Sequence, residues 1–186
     1  MSVTLTSHQI KQEHFEEFIN LIDKINSHKN EQSRIELNKL YDRIHEIRDD
    51  DSISSIAYHI LIADNIQRLV TNNQESSYNY DENNIAQLPF HGNKKYGFNF
   101  TGGDGGILQK KDISLIVKHL RTLKIDSKEN FVKYFSQLSD EFKNEMFIEI
   151  GENETEEEFV YVDLKSFLDF YYECEKNGTW VYIECN

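Results

Sequence analysis

A cluster of glycines is the first feature of the sequence that could carry chemistry. Four of the chain's eight glycines lie within the five residues from Gly102 to Gly106, just ahead of a helix-like apolar pattern. A phosphate-binding loop would need Gly-Lys-Ser/Thr, and no Gly-Lys pair occurs in the chain. A dinucleotide fingerprint that began at Gly103 would need a glycine where Leu108 stands. A calcium loop would need acidic residues at alternate positions after Asp104. We therefore interpret the cluster as a turn that requires positive φ angles.

The seven histidines could bind a metal ion or transfer protons. None of them pairs with another at the i, i+4 spacing that places two ligands on one helix face. His59 lies in a long apolar segment with Asp64 five residues further on, and His91 follows a polar segment that contains carboxylates. A buried imidazole can be tuned for proton transfer, although one satisfied by a polar neighbour is the more common case. His59 or His91 with loop carboxylates would serve a small-molecule enzyme of unknown reaction, which is one hypothesis.

Nucleophilic catalysis has little support in the sequence. Cys174 and Cys185 fall on the inward faces of a predicted helix and a predicted strand, where a thiol packs rather than reacts. No G-x-S-x-G sequence is present to expose a serine nucleophile. Two cysteines also do not make a disulfide framework. The sequence predicts no catalytic residue, no cofactor and no metal site.

Net charge is the strongest feature of the composition. The chain has 20 basic and 33 acidic residues, which gives a formal charge of −13 and a pI near 4.9. Such a field repels nucleic acid and anionic membranes, because both are bound through Lys and Arg. It attracts basic proteins and accelerates their encounter. The alternative interpretation is that the acidic residues serve only to keep the protein soluble.

Two segments combine features of a binding surface for a basic protein. The first has tyrosines beside carboxylates, since aromatic side chains anchor an interface and carboxylates steer the partner. The second is an acidic connector, which is a docking surface if it is not simply a solvated loop. The predicted partner-binding residues are Tyr78, Tyr80, Asp81, Glu82, Glu152, Glu154, Glu156 and Glu157.

The first half of the chain predicts one strand and three helices. The strand is Ser2–Thr6, after which Ser7 can cap a helix with an apolar stripe from Ile10 to Ile25. A second helix is predicted from about Gln32 to Arg48. The segment Ser52–Val70 is apolar over most of its circumference, which favours a central helix; its β-branched residues also allow a strand, but its length argues against one.

The second half predicts an irregular segment and then a regular pattern. Periodicity fades at about 71–109, with YGFNF as one possible strand. Helices follow near Ile113 and after Ser127, with a break at Ser139. Thr155 and Glu158 have capping-box spacing for a last helix, unless EFVYV is a strand and Asp163 is the cap. A glycine, Gly178, should end that helix, and the alternating sequence TWVYIEC should form a terminal strand that pairs with Ser2–Thr6.

These elements predict a mainly helical α+β fold with a small sheet that contains both terminal strands. The length of 186 residues fits a single domain, 1–186, with the irregular segment inside it. The first residues have no apolar core of a signal peptide, and no apolar run approaches the ~18–20 residues that span a bilayer. We therefore expect a cytoplasmic protein, and the sequence leaves its oligomeric state open.

Four stretches of the chain carry a resemblance to a known family. They are SVTLTSHQI, SSIAYHILIAD, GGILQKKDISLIVKHLRTL and FLDFYYECEKNGTWVYIEC. In character and order they resemble the opening strand, buried segment, loop-to-helix passage and closing helix and strand of the YfbM-like family of small bacterial proteins. Gln109–Lys110 is a departure, since a threonine-proline pair often stands there in that family. The resemblance implies a fold, and it brings no established activity.

Three functional hypotheses remain after these observations. The first is a non-enzymatic acidic protein-binding module, of which a bacterial immunity protein that neutralises a basic toxin is one instance. Charge and missing catalytic motifs support it. The second is the small-molecule enzyme that uses His59 or His91. The third is a housekeeping protein of the YfbM-like family.

Overall fold

In the part of the chain that the structure describes, a five-stranded antiparallel sheet has helices packed on both faces. The computed structural model describes residues 4–27, 34–48, 55–72, 84–100, 103–146 and 155–185. The strands are β1 (Thr4–Ile10), β2 (Ser55–His59), β3 (Asn93–Phe100), β4 (Gly103–Leu108) and β5 (Trp180–Cys185). The helices are α1 (Phe15–Ser27), α2 (Arg34–Arg48), α3 (Ile60–Thr71), α4 (Leu88–His91), α5 (Lys110–Leu123), α6 (Lys128–Ser136), α7 (Asp140–Glu145) and α8 (Glu156–Asn177). This confirms the predicted α+β class.

Both terminal strands lie inside the sheet, as predicted. The strand order is β2-β1-β5-β4-β3, and β5 pairs antiparallel with both β1 and β4. Strand β1 runs on to Ile10, which lies opposite Trp180. Ser7 is therefore a buried strand residue, and the prediction that it caps a helix is wrong. A short 3-10 turn, Gln12–His14, separates β1 from α1.

Each face of the sheet has its own core, because alternate residues of a strand point to opposite faces. On one face Ile10, Ile107 and Tyr182 pack against α1 and α2. On the other face Val181 and Ile183 pack against the helices α3, α5 and α8. The central strand β5 is consequently buried on both sides, which explains the high apolar content of TWVYIEC.

The segment predicted as one central helix is a strand followed by a helix. Residues 55–59 form the edge strand β2, which pairs with β1 from Thr4 to His8. The hydroxyl of Tyr58 donates a hydrogen bond to the carbonyl oxygen of Asp163, and this fixes β2 against α8. Helix α3 starts at Ile60, and the side chains of Ile60 and Leu61 are exposed to solvent. The prediction of a helix over Ser52–Val70 was thus wrong for its first part, where sheet pairing outweighs the length of the apolar run.

The described residues 84–100 and 103–108 are almost entirely regular, in contrast to the irregular segment expected at 71–109; residues 73–83 of that segment lie outside the described part of the chain. It contains a 3-10 turn, Ile85–Gln87, the helix α4 and the hairpin of β3 and β4. The YGFNF strand is confirmed within β3. In β4, a Cβ atom on Gly106 would lie only 2.6 Å from the carbonyl oxygen of His91. Glycine is thus needed there for a close backbone approach and not for the positive φ angle that we expected.

The later helices begin and end where the capping residues predicted. Ser127 and Ser139 accept hydrogen bonds from backbone N–H groups in the first turns of α6 and α7. Thr155 and Glu158 form the capping box of α8, so EFVYV is helical and Asp163 lies inside the helix. Gly178 ends α8 with φ +66°. No helix within the described ranges is both long enough and apolar enough to cross a membrane.

Candidate functional site

Most of the predicted partner-binding residues lie outside the described part of the chain. Tyr78, Tyr80, Asp81 and Glu82 fall in residues 73–83, and Glu152 and Glu154 fall in residues 147–154. Their role stays a prediction.

Glu156 and Glu157 are described, in the first turn of α8. Carboxylates stabilise a helix at this end, where the dipole is positive. The next residue, Glu158, caps the helix and accepts a hydrogen bond from Lys128 Nζ at 2.6 Å, which lowers the pKa of its carboxyl. This acidic run therefore has a local structural role, whether or not it also binds a partner.

The two histidines of the enzyme hypothesis are far apart in the sheet. His59 ends the edge strand β2, and its Nδ1 accepts a hydrogen bond from the backbone N–H of Leu61 at 3.4 Å, as the N-cap of α3. His91 is exposed at the end of α4, beside β4. Three strand spacings, about 14 Å, separate the two strands. The structure does not bring these histidines into one site. No three His, Cys, Asp or Glu side chains of the described residues cluster as a metal site would require.

A buried polar cluster joins β1 and β5 on the face covered by α1 and α2. His8 Nε2 lies 3.3 Å from Glu184 Oε1, and the hydroxyl of Tyr182 donates to Glu184 Oε2 at 3.1 Å. The His8 and Tyr182 rings are stacked, with centroids 6.0 Å apart. All three side chains are buried, so the cluster holds the centre of the sheet and is not open to a ligand.

An open groove lies at the end of the sheet where β5 begins and β4 ends. Its volume is about 680 Å³, within the range of ligand pockets. The lining residues come from the 3-10 turn, the start of α1 and the ends of the two strands: Gln12, Glu13, Phe15, Glu16, Ile19, Asn20, Gln109 and Trp180. We call this the Trp180 groove.

A stacked aromatic pair forms the apolar part of the Trp180 groove. The rings of Phe15 and Trp180 are 4.2 Å apart between centroids, with 22° between their planes. Both side chains are only partly buried. The pairing of Ile10 with Trp180 brings the two ends of the chain together, and the 3-10 turn then places Phe15 on the tryptophan. The stacked pair thus forms an aromatic wall of the groove.

Carboxylates at the start of α1 form the polar part of the groove. Glu13 is largely exposed and lies 3.6 Å from His14 Nε2. Glu16 is exposed and has no basic partner among the described residues. Glu17, one residue further on, is instead held by Arg43 at 2.7 and 3.0 Å, and this hydrogen bonding lowers the pKa of its carboxyl. Arg43 is therefore engaged away from the groove, and the charge of Glu16 is available to a ligand.

Sequence reasoning missed this site because its parts are remote from each other along the chain. Phe15 was assigned to the inward stripe of a helix, and Trp180 to one face of a terminal strand. Only the pairing of β1 with β5 brings them into contact. The one signal available was the run of acidic and aromatic residues in QEHFEEF. If the first and last predicted strands pair, this run comes close to Trp180, the only tryptophan of the chain.

The described acidic residues do not form one patch. Glu13 lies in the 3-10 turn and Glu16 in the first turn of α1, the helix that packs on one face of the sheet. Glu156 and Glu157 lie on α8, which packs on the opposite face. The Trp180 groove and the acidic run of α8 are thus separate surfaces.

Comparison with known proteins adds information on the fold. No family model and no curated protein matches the sequence. Among solved structures, the chain is similar to the crystal structure of YfbM from Escherichia coli, a protein of unknown function. The match covers 100% of both chains with 16% identity and a TM-score of 0.55. At this identity the likeness shows the fold alone. The chain therefore has a YfbM-like fold, which confirms the resemblance found in the sequence.

Proposed function

We propose that the protein is a non-enzymatic binding module that recognises a basic protein partner through the Trp180 groove. One observation carries the proposal: a partly exposed aromatic pair, Phe15 and Trp180, stands in an open groove beside the carboxylates of Glu13 and Glu16. The site differs from the one that the sequence predicted, while the class of partner is the same.

The groove has the chemistry that holds a cationic side chain. A positive group within about 6 Å of an aromatic face is attracted by the ring, and most strongly by tryptophan. Carboxylates beside the ring add a direct electrostatic attraction. The charge of −13 on the whole chain would steer a basic partner towards the protein before contact.

The lining residues favour binding over catalysis. They are two aromatic rings, one isoleucine, three amides and two carboxylates. Such groups give shape, hydrogen bonds and charge to a bound side chain. No histidine, cysteine or serine is among these lining residues, and we assign the carboxylates of Glu13 and Glu16 to recognition of positive charge. We therefore propose that the groove binds a partner and does not catalyse a reaction.

Immunity to a toxin is the finer form of this proposal. A basic toxin that acts on nucleic acid carries the charge that the groove complements, and occupation of its cationic site would block it. In that case co-expression should protect cells from the toxin, and variants of the groove should lose the protection.

Affinity capture with matched charge variants tests the proposal. Bait proteins would be the wild type, a groove variant with Glu13→Gln and Glu16→Gln, and a control with Glu156→Gln and Glu157→Gln. Both variants remove the same number of negative charges, on opposite faces of the sheet. We expect the wild type and the control to retain one basic protein at low salt from the lysate of the native cell, and the groove variant to lose it.

High salt should release the captured protein from the wild type and from the control, because screening weakens contacts between exposed charges. Capture of no macromolecule would contradict the proposal. Equal capture by the groove variant would contradict the assignment of the site.

A further inference from the structure

We infer that the Trp180 groove selects an arginine side chain of the partner over a lysine. This inference rests on the proposed function and names the group that the site binds. It follows from the stacked aromatic pair, from the number of acceptors around it and from the open position of the groove.

The aromatic pair matches the shape of a guanidinium group. The Phe15 and Trp180 rings stack on each other with 22° between their planes, so each uses one face in the pair and has an outer face left for a further stacked group. A guanidinium is also planar, and it can stack on such a face through both dispersion and cation–π attraction. A tetrahedral ammonium group can use only the second of these.

The acceptors of the groove also favour arginine. Glu13 and Glu16 line the groove together with Gln12 and Asn20, whose side-chain amides can also accept hydrogen bonds. A guanidinium has five N–H donors arranged as a planar fork, whereas an ammonium has three on one atom. A group stacked on Trp180 can therefore donate sideways to several acceptors, and a bidentate bond to a carboxylate is the strongest of these contacts.

Exposure of the groove to water increases the expected difference in affinity between arginine and lysine. A site in contact with water has to compete with hydration of the cation. An ammonium is a compact and strongly hydrated charge, whereas a guanidinium is more weakly hydrated. In an open groove the lysine side chain thus gains less by leaving water than the arginine side chain does.

Trp180 provides a direct measurement, since it is the only tryptophan in the chain. Its fluorescence would be followed while the full-length protein is titrated with three short peptides that differ at one position, which is arginine, lysine or citrulline. Citrulline has nearly the shape of arginine without the charge. Maltotriose would be titrated as well, because aromatic pairs beside amides can also bind neutral sugars.

We expect a saturable fluorescence change with the arginine peptide, with binding about fivefold weaker for lysine and at least about tenfold weaker for citrulline. Glu16→Gln should weaken arginine binding by about threefold to tenfold. Phe15→Leu, which keeps the fluorophore, should reduce the preference for arginine over lysine. The control Glu141→Gln, at an exposed position of α7, should bind like the wild type.

Several results would overturn the inference. They are equal affinity for arginine and lysine, binding of citrulline as tight as that of arginine, and a saturable response to maltotriose with none to the arginine peptide. Equal binding of lysine that still depends on Glu16 would refute only the selectivity and leave the proposed function intact. Absence of binding by both cationic peptides, together with failed capture of a basic protein, would refute both.

Discussion

Two glycines face each other where the end of α4 meets β4. A Cβ atom on Gly106 would lie 2.6 Å from the His91 carbonyl oxygen and 2.7 Å from the Cα atom of Gly92. The contact is between backbone atoms, so neither side can move aside easily. The backbone approach itself thus excludes every side chain at position 106.

Gly106→Ala should therefore lower the free energy of unfolding by about 3 kcal/mol, because it overpacks a rigid contact. The matched control is Gly178→Ala, where the φ angle is +66° but the nearest atoms of another residue are the end of the flexible Lys110 side chain, at 3.6 Å. That change should cost only about 1 kcal/mol, from the left-handed backbone alone. Denaturant unfolding measures both values. Equal losses would contradict the close backbone approach as the reason for glycine at position 106.

Cys174 should be unreactive in the folded protein. Burial raises the pKa of its thiol to about 12, so hardly any thiolate, the reactive form, exists at neutral pH. In a Cys185→Ser background, reaction with a thiol reagent at pH 8 should be orders of magnitude slower in the native protein than in denaturant. A native rate close to that of the denatured protein would contradict the packed position of this side chain.

Asp163 should destabilise the fold when it is ionised. Burial raises the pKa of its carboxyl above 3.8, so the folded state prefers the protonated form. The stability that this preference contributes is fully present below pH 3.8 and is lost as the pH rises through the folded pKa.

Asp163→Asn should consequently raise the free energy of unfolding at pH 7, by less than about 1 kcal/mol since the group is only half-buried. The gain should disappear at pH 3. Asp42→Asn, at an exposed position of α2, is the control and should change little at either pH. A gain that persists at pH 3 would mean that the charge of Asp163 is not its cause.

At the scale of the secondary-structure element, the capping residues made the helix ends in much of the second half of the chain predictable. Ser127, Thr155 and Gly178 mark helix ends by mechanisms that need only neighbouring residues, namely side-chain acceptors for backbone N–H groups and a left-handed glycine. The terminal strand was predictable as well, because alternate residues of TWVYIEC point to opposite faces of the sheet, both of which are buried. Local chemistry determines these features, so a single sequence reveals them.

The segment 52–70 shows where local reasoning failed. Its apolar residues have to serve a strand that lies at the sheet edge and a helix that packs on α8. Both uses need the same residue types, and the division at His59 depends on pairing with β1, which is some fifty residues away in the chain. The pattern alone could not place that division.

The cap of α8 gives a test at this scale. Thr155→Ala removes the acceptor for the Glu158 N–H group and should cost about 1 kcal/mol in denaturant unfolding. Ser166→Ala, within the same helix, is the control. Its hydroxyl only bonds back to the Val162 carbonyl oxygen, so its loss should be neutral or slightly stabilising. A Thr155 variant as stable as the wild type would show that the other groups of the first turn hold this helix end.

At the scale of the molecule, composition led to the kind of partner that we propose but not to the groove that we propose for it. The net charge is a property of the whole chain, and it can be read without a structure. The groove depends on contacts between Phe15 and Trp180, which only the completed sheet creates. Any role of Tyr78 and Tyr80 stays a prediction.

Charge on the two faces should act on different steps of binding. The double variant with Glu156→Gln and Glu157→Gln weakens the long-range electrostatic field of the protein and leaves the groove unchanged. It should therefore slow the association of a basic peptide slightly and leave the dissociation rate unchanged. Glu16→Gln removes a direct contact and should mainly speed dissociation. Stopped-flow fluorescence of Trp180 separates the two rates. Faster dissociation in the α8 variant would place the peptide on that helix instead.

The position of β5 between β1 and β4 has a consequence for the synthesis of the protein. Strand β5 is the last of the described elements to leave the ribosome, yet it is the middle strand of the sheet. Until it arrives, the pair β2–β1 and the hairpin β3–β4 have no strand to connect them, and each nascent half exposes apolar surface that belongs to a shared interior. We therefore expect the growing chain to stay open and prone to aggregation until β5 is made, and a stop codon just before Trp180 to keep it in that state.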